Sequence, residues 1–190
     1  MNVYDFDQTI FQPDSSYAFF VYCLKRYPRA FLATGPDMLV CCLRYLRKKI
    51  STKELKEKVF SFLRLIPDPE KTVMDFWDSS LGGIESWYLA QQRADDLIIT
   101  ASPSFLVGEA GRRLGFRVLG TEMDIRTGKI LGENCHDSEK VKRFYLAFPQ
   151  GVIESFYSDS LSDAPLAEIA REAFLVDKGR LSSWPDAGRA

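Results

Sequence analysis

"NVYDFDQTIF" (residues 2–11) decides how the rest of the chain is read. Asn2–Asp5 reads as a short strand, with Asp7 two residues past Asp5 and Thr9 two past Asp7. Side chains two apart share a face of a strand. Two carboxylates at about 4 Å repel by roughly 4 kcal/mol at an effective dielectric near 20. An isolated charge at the end of a buried strand is also costly. Two explanations stand side by side. The acids are turn residues, or a cation offsets them, one carboxylate ligating it and attacking as a nucleophile while the other moves protons.

Working outward, residues 8–14 read as a loop, and residues 15–93 follow a helical rhythm. "SSYAFFVYCLKRYP" is a helix with serine caps in front and Pro28 as its stop. "GPDMLVCCLRYLRKKI" begins a helix at Gly35-Pro36 and ends in a basic turn. "STKELKEKVFSFLRLIP" opens with a capping box from Ser51 to Glu54. After Arg93 the pattern changes. "DLIITAS", "FRVLG", "GVIESFYS" and "FLVD" read as strands. Helices fill the gaps from Pro103, over "SEKVKRFYLAF" with Val141, Phe144, Tyr145 and Phe148 on one face, and over "APLAEIAREA". "TEMDIRTGKILGE" reads as a hairpin around Thr127-Gly128, and the tail from Gly179 carries no clear element.

Alternating strands and helices imply a parallel sheet covered on both faces. The expected fold is therefore α/β, a Rossmann-like core made of residues 1–12 and 90–190. An all-helical cap, residues 13–89, is inserted after the first strand.

Ligands of open α/β sheets bind off the carboxyl ends of the strands. The first strand ends in Asp5, with Asp7 beyond it. The second ends in Ser102, which before Pro103 also suits a helix N-cap and, at a helix N-terminus, a phosphate site. A later strand ends in Asp159, and Asp163 either joins it or caps the helix at Ala164-Pro165. Lys140 sits in a first helical turn, where a cation opposes the macrodipole, and Lys142 competes with it as the site's cation. Four carboxylates at one sheet edge call for a hard divalent cation, and oxygen donors point to Mg²⁺ over Zn²⁺.

These residues, in this order, resemble the haloacid dehalogenase superfamily of hydrolases. "DFDQT" is similar to its first motif, "IITAS" to its second, "SEKVKRF" to the stretch bearing its lysine, and "YSDSLSD" to its acidic fourth motif. The helical insertion is similar to the cap of the phosphoserine phosphatase-like branch. The resemblance implies a phosphatase in which Asp5 attacks phosphorus and Asp7 serves as acid and base. Ser102 and Lys140 would hold the phosphoryl oxygens. Mg²⁺ would be bound by the Asp5 carboxylate, the Asp7 carbonyl and Asp159, with Asp163 supporting that shell and Thr9 shaping the loop. The alternatives carried alongside are a phosphotransferase using the same site and a non-catalytic anion-binding module.

Composition narrows the partners. The chain of 190 residues is 46% hydrophobic and 27% charged with net charge −1, so no global field points to nucleic acid. Ten Lys/Arg against three Asp/Glu between Lys25 and Lys58 (10 − 3 = +7) make one stretch basic. That stretch is either the solvated face of a helical subdomain or a surface for an anionic ester, including one at an anionic membrane. Cys23, Cys41, Cys42 and Cys135 match no metal or redox spacing. Reduced thiols and no apparent leader imply a cytoplasmic protein acting on a small phosphorylated substrate. Oligomeric state and leaving group are not written in the sequence.

Overall fold

The computed structural model describes residues 1–185. Its sheet has six strands: β1 (Val3–Tyr4), β2 (Leu97–Pro103), β3 (Arg117–Thr121), β4 (Ile153–Ser158), β5 (Ala170–Asp177) and β6 (Arg180–Ser183). Their order is β3-β2-β1-β4-β5-β6, with the first five parallel and β6 antiparallel to β5. The chain moves outward from β1 to β2 and β3, then returns to lay β4 on the other side of β1. The strand order therefore reverses between β1 and β4, which is where such sheets open a crevice.

Successive strand residues feed opposite cores, as the two-residue period requires. Val3, Leu97, Ile99 and Phe156 face one cluster, closed by Phe144 and Leu166. These come from α7 (Ser138–Ala147) and α8 (Ala164–Ile169). Tyr4, Ile98 and Tyr157 face the other, which holds Leu106 and Val107 of α6 (Ser104–Leu114). That second cluster continues into the inserted helices through Phe19, Phe62, Phe76 and Trp77. The Trp77 indole donates to the Leu106 carbonyl at 2.8 Å, so the insertion is pinned to α6 by a buried hydrogen bond.

The insertion comprises α1 (Ser15–Arg26), α2 (Pro28–Leu46), α3 (Thr52–Val59), α4 (Pro69–Ser80) and α5 (Ser86–Gln91). α1 starts where the Asp14 carboxylate accepts from the Tyr17 amide at 2.8 Å. The Ser51–Glu54 capping box forms as expected. α2 departs from expectation: it begins at Pro28 and runs through Gly35-Pro36. Pro28 ends α1 and also opens α2, because a first helical position needs no N–H. Phe31 then packs on Phe20 and Phe62, holding the early turns. Pro36 forfeits one internal hydrogen bond within that helix.

Four other readings are corrected. The helix expected over residues 164–173 ends at Ile169, and Ala170–Asp177 becomes β5. "AREA" has good helix formers, but the open edge of β4 pairs with it from Ala170 onward. β6 comes from the tail that carried no clear element. The hairpin around Thr127-Gly128 shrinks to one bridge, Met123 to Ile130. Gly128, at φ +72°, lies so close to Phe60 that a Cβ would meet its carbonyl oxygen. On α7, Tyr145 is exposed, and Lys140 takes the buried place beside Phe144.

Candidate active site

Asp5 leaves the end of β1 with its amide still bonded to the Tyr157 carbonyl at 2.8 Å, so β4 fixes its position. Its carboxylate and those of Asp7, Asp14, Asp159 and Asp163 line one cavity of about 290 Å³ with Ser102, Lys56 and Lys140. Lys140, from the first turn of α7, is buried and donates to Asp5 Oδ1 at 2.7 Å and to Asp163 Oδ2 at 2.8 Å. Lys142 lies on the outer surface against Glu139 at 3.3 Å. Among the described residues, Asp5 Oδ2 makes no hydrogen bond. Thr9 ties the two ends of the chain together: its hydroxyl accepts the Asp159 amide at 2.9 Å and donates to Asp159 Oδ1 at 3.3 Å.

Ser102 does not cap a helix. β2 runs through Pro103 and α6 starts at Ser104. Its hydroxyl is thereby free to donate to Asp7 Oδ2 at 2.5 Å. Asp7 Oδ1 accepts the Ser15 amide at 2.6 Å, at the first turn of α1. Asp163 does not cap with its side chain either, because that carboxylate accepts from Lys140 and, at 2.7 Å, from Ser158.

The electrostatics are lopsided. Five carboxylates face two lysines in the cavity. Burial pushes Asp5 up to about 7, against the pull of Lys140, with Asp163 and Asp7 adding to the rise. Burial and the Asp14 charge push Asp7 up to about 6, against the Ser102 and Ser15 hydrogen bonds. Burial also raises Asp159. Burial pulls the Lys140 ammonium down, but Asp5 and Asp163 more than reverse this, so it stays charged. Burial lowers Lys56, whose ammonium donates to the Ala101 carbonyl at 2.9 Å and to Asn134 Oδ1 at 2.8 Å.

No set of three or more Asp, Glu, His or Cys side chains is arranged to hold a metal among the described residues. A cation here would draw on two carboxylates, Asp5 and Asp159, plus main-chain oxygen. That all-oxygen donor set suits a hard divalent ion, and the shortage of positive charge in the cavity favours one.

The sequence reading missed Lys56. It is one of ten cations in the basic stretch. No spacing distinguishes the one that α3 turns inward. Asp14 and Ser16 also line the cavity, and Ser16 reaches the Ser102 hydroxyl at 2.9 Å.

Fold and site together define an α/β enzyme of the kind that binds its ligand at the crevice of a parallel sheet. The family profile of the haloacid dehalogenase-like hydrolases matches residues 3–168, nearly the whole chain. The chain belongs to that family of hydrolases. No curated protein matches it. Its fold is similar to that of a protein of unknown function from Bordetella pertussis Tohama I, with TM-score 0.69 and 22% identity over 91% of this chain and 87% of that one. It is also similar to a probable phosphoserine phosphatase from Vibrio cholerae, with TM-score 0.66 and 13% identity over 90% of this chain and 54% of that one. A phosphoserine phosphatase bearing a phospho-aspartyl intermediate analogue has TM-score 0.52 and 13% identity, over 90% of this chain and 83% of that one. Among the described residues, no helix is long and apolar enough to cross a membrane.

Proposed function

We propose that this protein is a Mg²⁺-dependent phosphomonoesterase working through an aspartyl-phosphate on Asp5. One observation carries the reading: Asp5 keeps one carboxylate oxygen on Lys140 and the other unbonded, in a cavity it shares with Asp7, Ser102 and Asp159. In the first step Asp5 Oδ2 attacks phosphorus, and the bond from phosphorus to the leaving oxygen breaks. The Asp7 carboxyl gives its proton to that oxygen. In the second step Asp7 takes a proton from water, the water oxygen bonds to phosphorus, and the bond from phosphorus to Asp5 Oδ2 in the acyl phosphate breaks. Asp5 is then restored and phosphate leaves. A group poised near neutrality suits a residue that gives and then takes a proton. The fold neighbour carrying a phospho-aspartyl analogue supports the intermediate.

Ser102 exchanges its bond to Asp7 for a phosphoryl oxygen, and Lys140 offsets the charge that spreads over the transferring group. Lys56 stands as a second cation at the substrate side. Thr9 holds the Asp159 loop against the nucleophile loop, and Asp163 fixes Lys140. Asp5, the Asp7 carbonyl and Asp159 would hold Mg²⁺, which supplies neutralising charge for a dianionic substrate. In this reading residues 1–12 and 90–190 are the catalytic core, and residues 13–89 are a cap that presents Lys56. The protein acts in the cytoplasm. The substrate is a small phosphometabolite or a lipid phosphate, whose phosphoryl group enters the cavity that Asp5, Ser102 and Lys140 line.

Two measurements test this. Chelation of divalent ions is expected to abolish phosphate release from an aryl phosphate, and added Mg²⁺ to restore it. Full activity in chelator removes the metal from the proposal. Asp7→Asn is expected to lower kcat by roughly 10²–10⁴ and to leave phosphate on the protein, seen as a mass increase on the peptide containing Asp5. A slow variant that never carries phosphate would argue for direct attack by water.

A further inference from the structure

α2 carries an apolar face that nothing among the described residues covers. Leu32 is 78% exposed, Leu39 63%, Leu43 46% and Leu46 77%. At 100° per residue these four fall within an arc of about 60°. They form one stripe along a helix about 28 Å long, with exposed Val40 beside it. Ala30 is buried on the opposite side of the helix, and Phe31, about a quarter turn from the stripe, is buried against Phe20 and Phe62. Leucines this exposed stand on a crest and not in a groove.

The charges that α2 and the turn after it carry are mostly basic, and on the Val40 side Glu54 and Glu57 of α3 face Arg44. Arg29, Arg44, Arg47, Lys48 and Lys49 are all exposed, and none makes an ion pair among the described residues. The only acid between residues 28 and 50 is Asp37, and Lys58 neutralises it at 2.6 Å. A second copy of the chain would bring Arg29, Arg47, Lys48 and Lys49 against the same cations, and the nearest acids, Glu54 and Glu57, lie on the Arg44 side of the helix. An anionic bilayer meets both halves of the pattern. Its headgroups pair with free Lys and Arg, and its acyl boundary accepts a leucine crest without needing a complementary pocket.

We infer that the α2 face, Leu32/Leu39/Leu43/Leu46 with Arg29, Arg44, Arg47, Lys48 and Lys49, docks the protein on anionic membrane surfaces. The inference concerns an interface outside the catalytic cavity and does not depend on the phosphatase reading.

Sedimentation of the full chain with lipid vesicles tests it. The protein is expected to pellet with phosphatidylcholine vesicles containing about a third phosphatidylglycerol at low salt, and to be released as the ionic strength approaches about 0.5 M. It is expected to stay in solution with phosphatidylcholine alone. Leu39→Glu/Leu43→Glu is expected to weaken binding roughly tenfold or more, and Arg44→Gln/Arg47→Gln to weaken it and flatten the salt dependence. Circular dichroism shows whether each variant keeps its helices, since these exposed positions touch no core. Failure to bind anionic vesicles at low salt overturns the inference, as does undiminished binding by the leucine variant. A wild-type dimer that the leucine variant splits into monomers also overturns it, by assigning the face to a second copy. Because sedimentation needs no turnover, an inactive protein that still binds separates the two proposals.

Discussion

Asp5→Asn is expected to lower turnover of an aryl phosphate by roughly four orders of magnitude or more while the protein stays folded. The amide cannot form the acyl phosphate, and among the described residues no other carboxylate holds the same place at the end of β1. The fold survives because Lys140 keeps Asp163 at 2.8 Å when Asp5 is neutralised. A neutral amide in this buried position also escapes the desolvation that raises the Asp5 carboxyl. Melting temperature is therefore expected to move by only a few degrees. Phosphate release measured beside a thermal melt checks both halves. Near wild-type release from a folded Asp5→Asn protein would remove the covalent mechanism and leave Asp7 or an activated water to be tested next. A wild-type protein that binds phosphate but never turns over would instead favour the anion-binding module.

Lys140→Met is expected to cost both activity and stability. The ammonium is nearly inaccessible and serves two acids at once. Its removal leaves Asp5 and Asp163 without a paired cation, since Lys56, the other ammonium of the cavity, is held by the Ala101 carbonyl and Asn134; among the described residues Asp163 keeps the Ser158 hydroxyl at 2.7 Å. Breaking a buried pair by deleting one partner typically costs about 3–5 kcal/mol. In a domain of this size each kcal/mol moves the melting temperature by about 2–4 °C, so a drop of about 6–20 °C is expected. Adding Asp163→Asn to the variant removes one of the two stranded charges. That double variant is expected to regain part of the lost stability and none of the lost activity. Recovery of both together would mean that Lys140 only holds the fold. A thermal melt within a degree or two of wild type for Lys140→Met would mean that the two acids find other partners, against the geometry.

Much of the site was legible because its residues stand at strand ends. "YDFD", "IITAS" and "FYSD" each join an apolar run to a polar side chain at its carboxyl end, and the structure brings all three to one cavity. Their local details were less legible. Ser102 before Pro103 has the pattern of an N-cap, yet the strand continues one residue further, and the hydroxyl turns to Asp7. Lys140 and Lys142 are equally plausible by spacing, and only burial separates them. Lys56 had no local signal at all.

The chain's own periodicities determined the α/β class, the long helical insertion and the acids that end the central strands. Those properties are local, set by alternation, capping and charge within a few residues. Contacts between distant segments decided the rest. Lys140 finds Asp5 across 135 positions and Lys56 finds Ala101 across 45. β5 takes residues from a helix-like run because β4 offers an open edge. Pairing and burial of that kind outweigh propensities of a few tenths of a kcal/mol per residue, and no short window of sequence contains them.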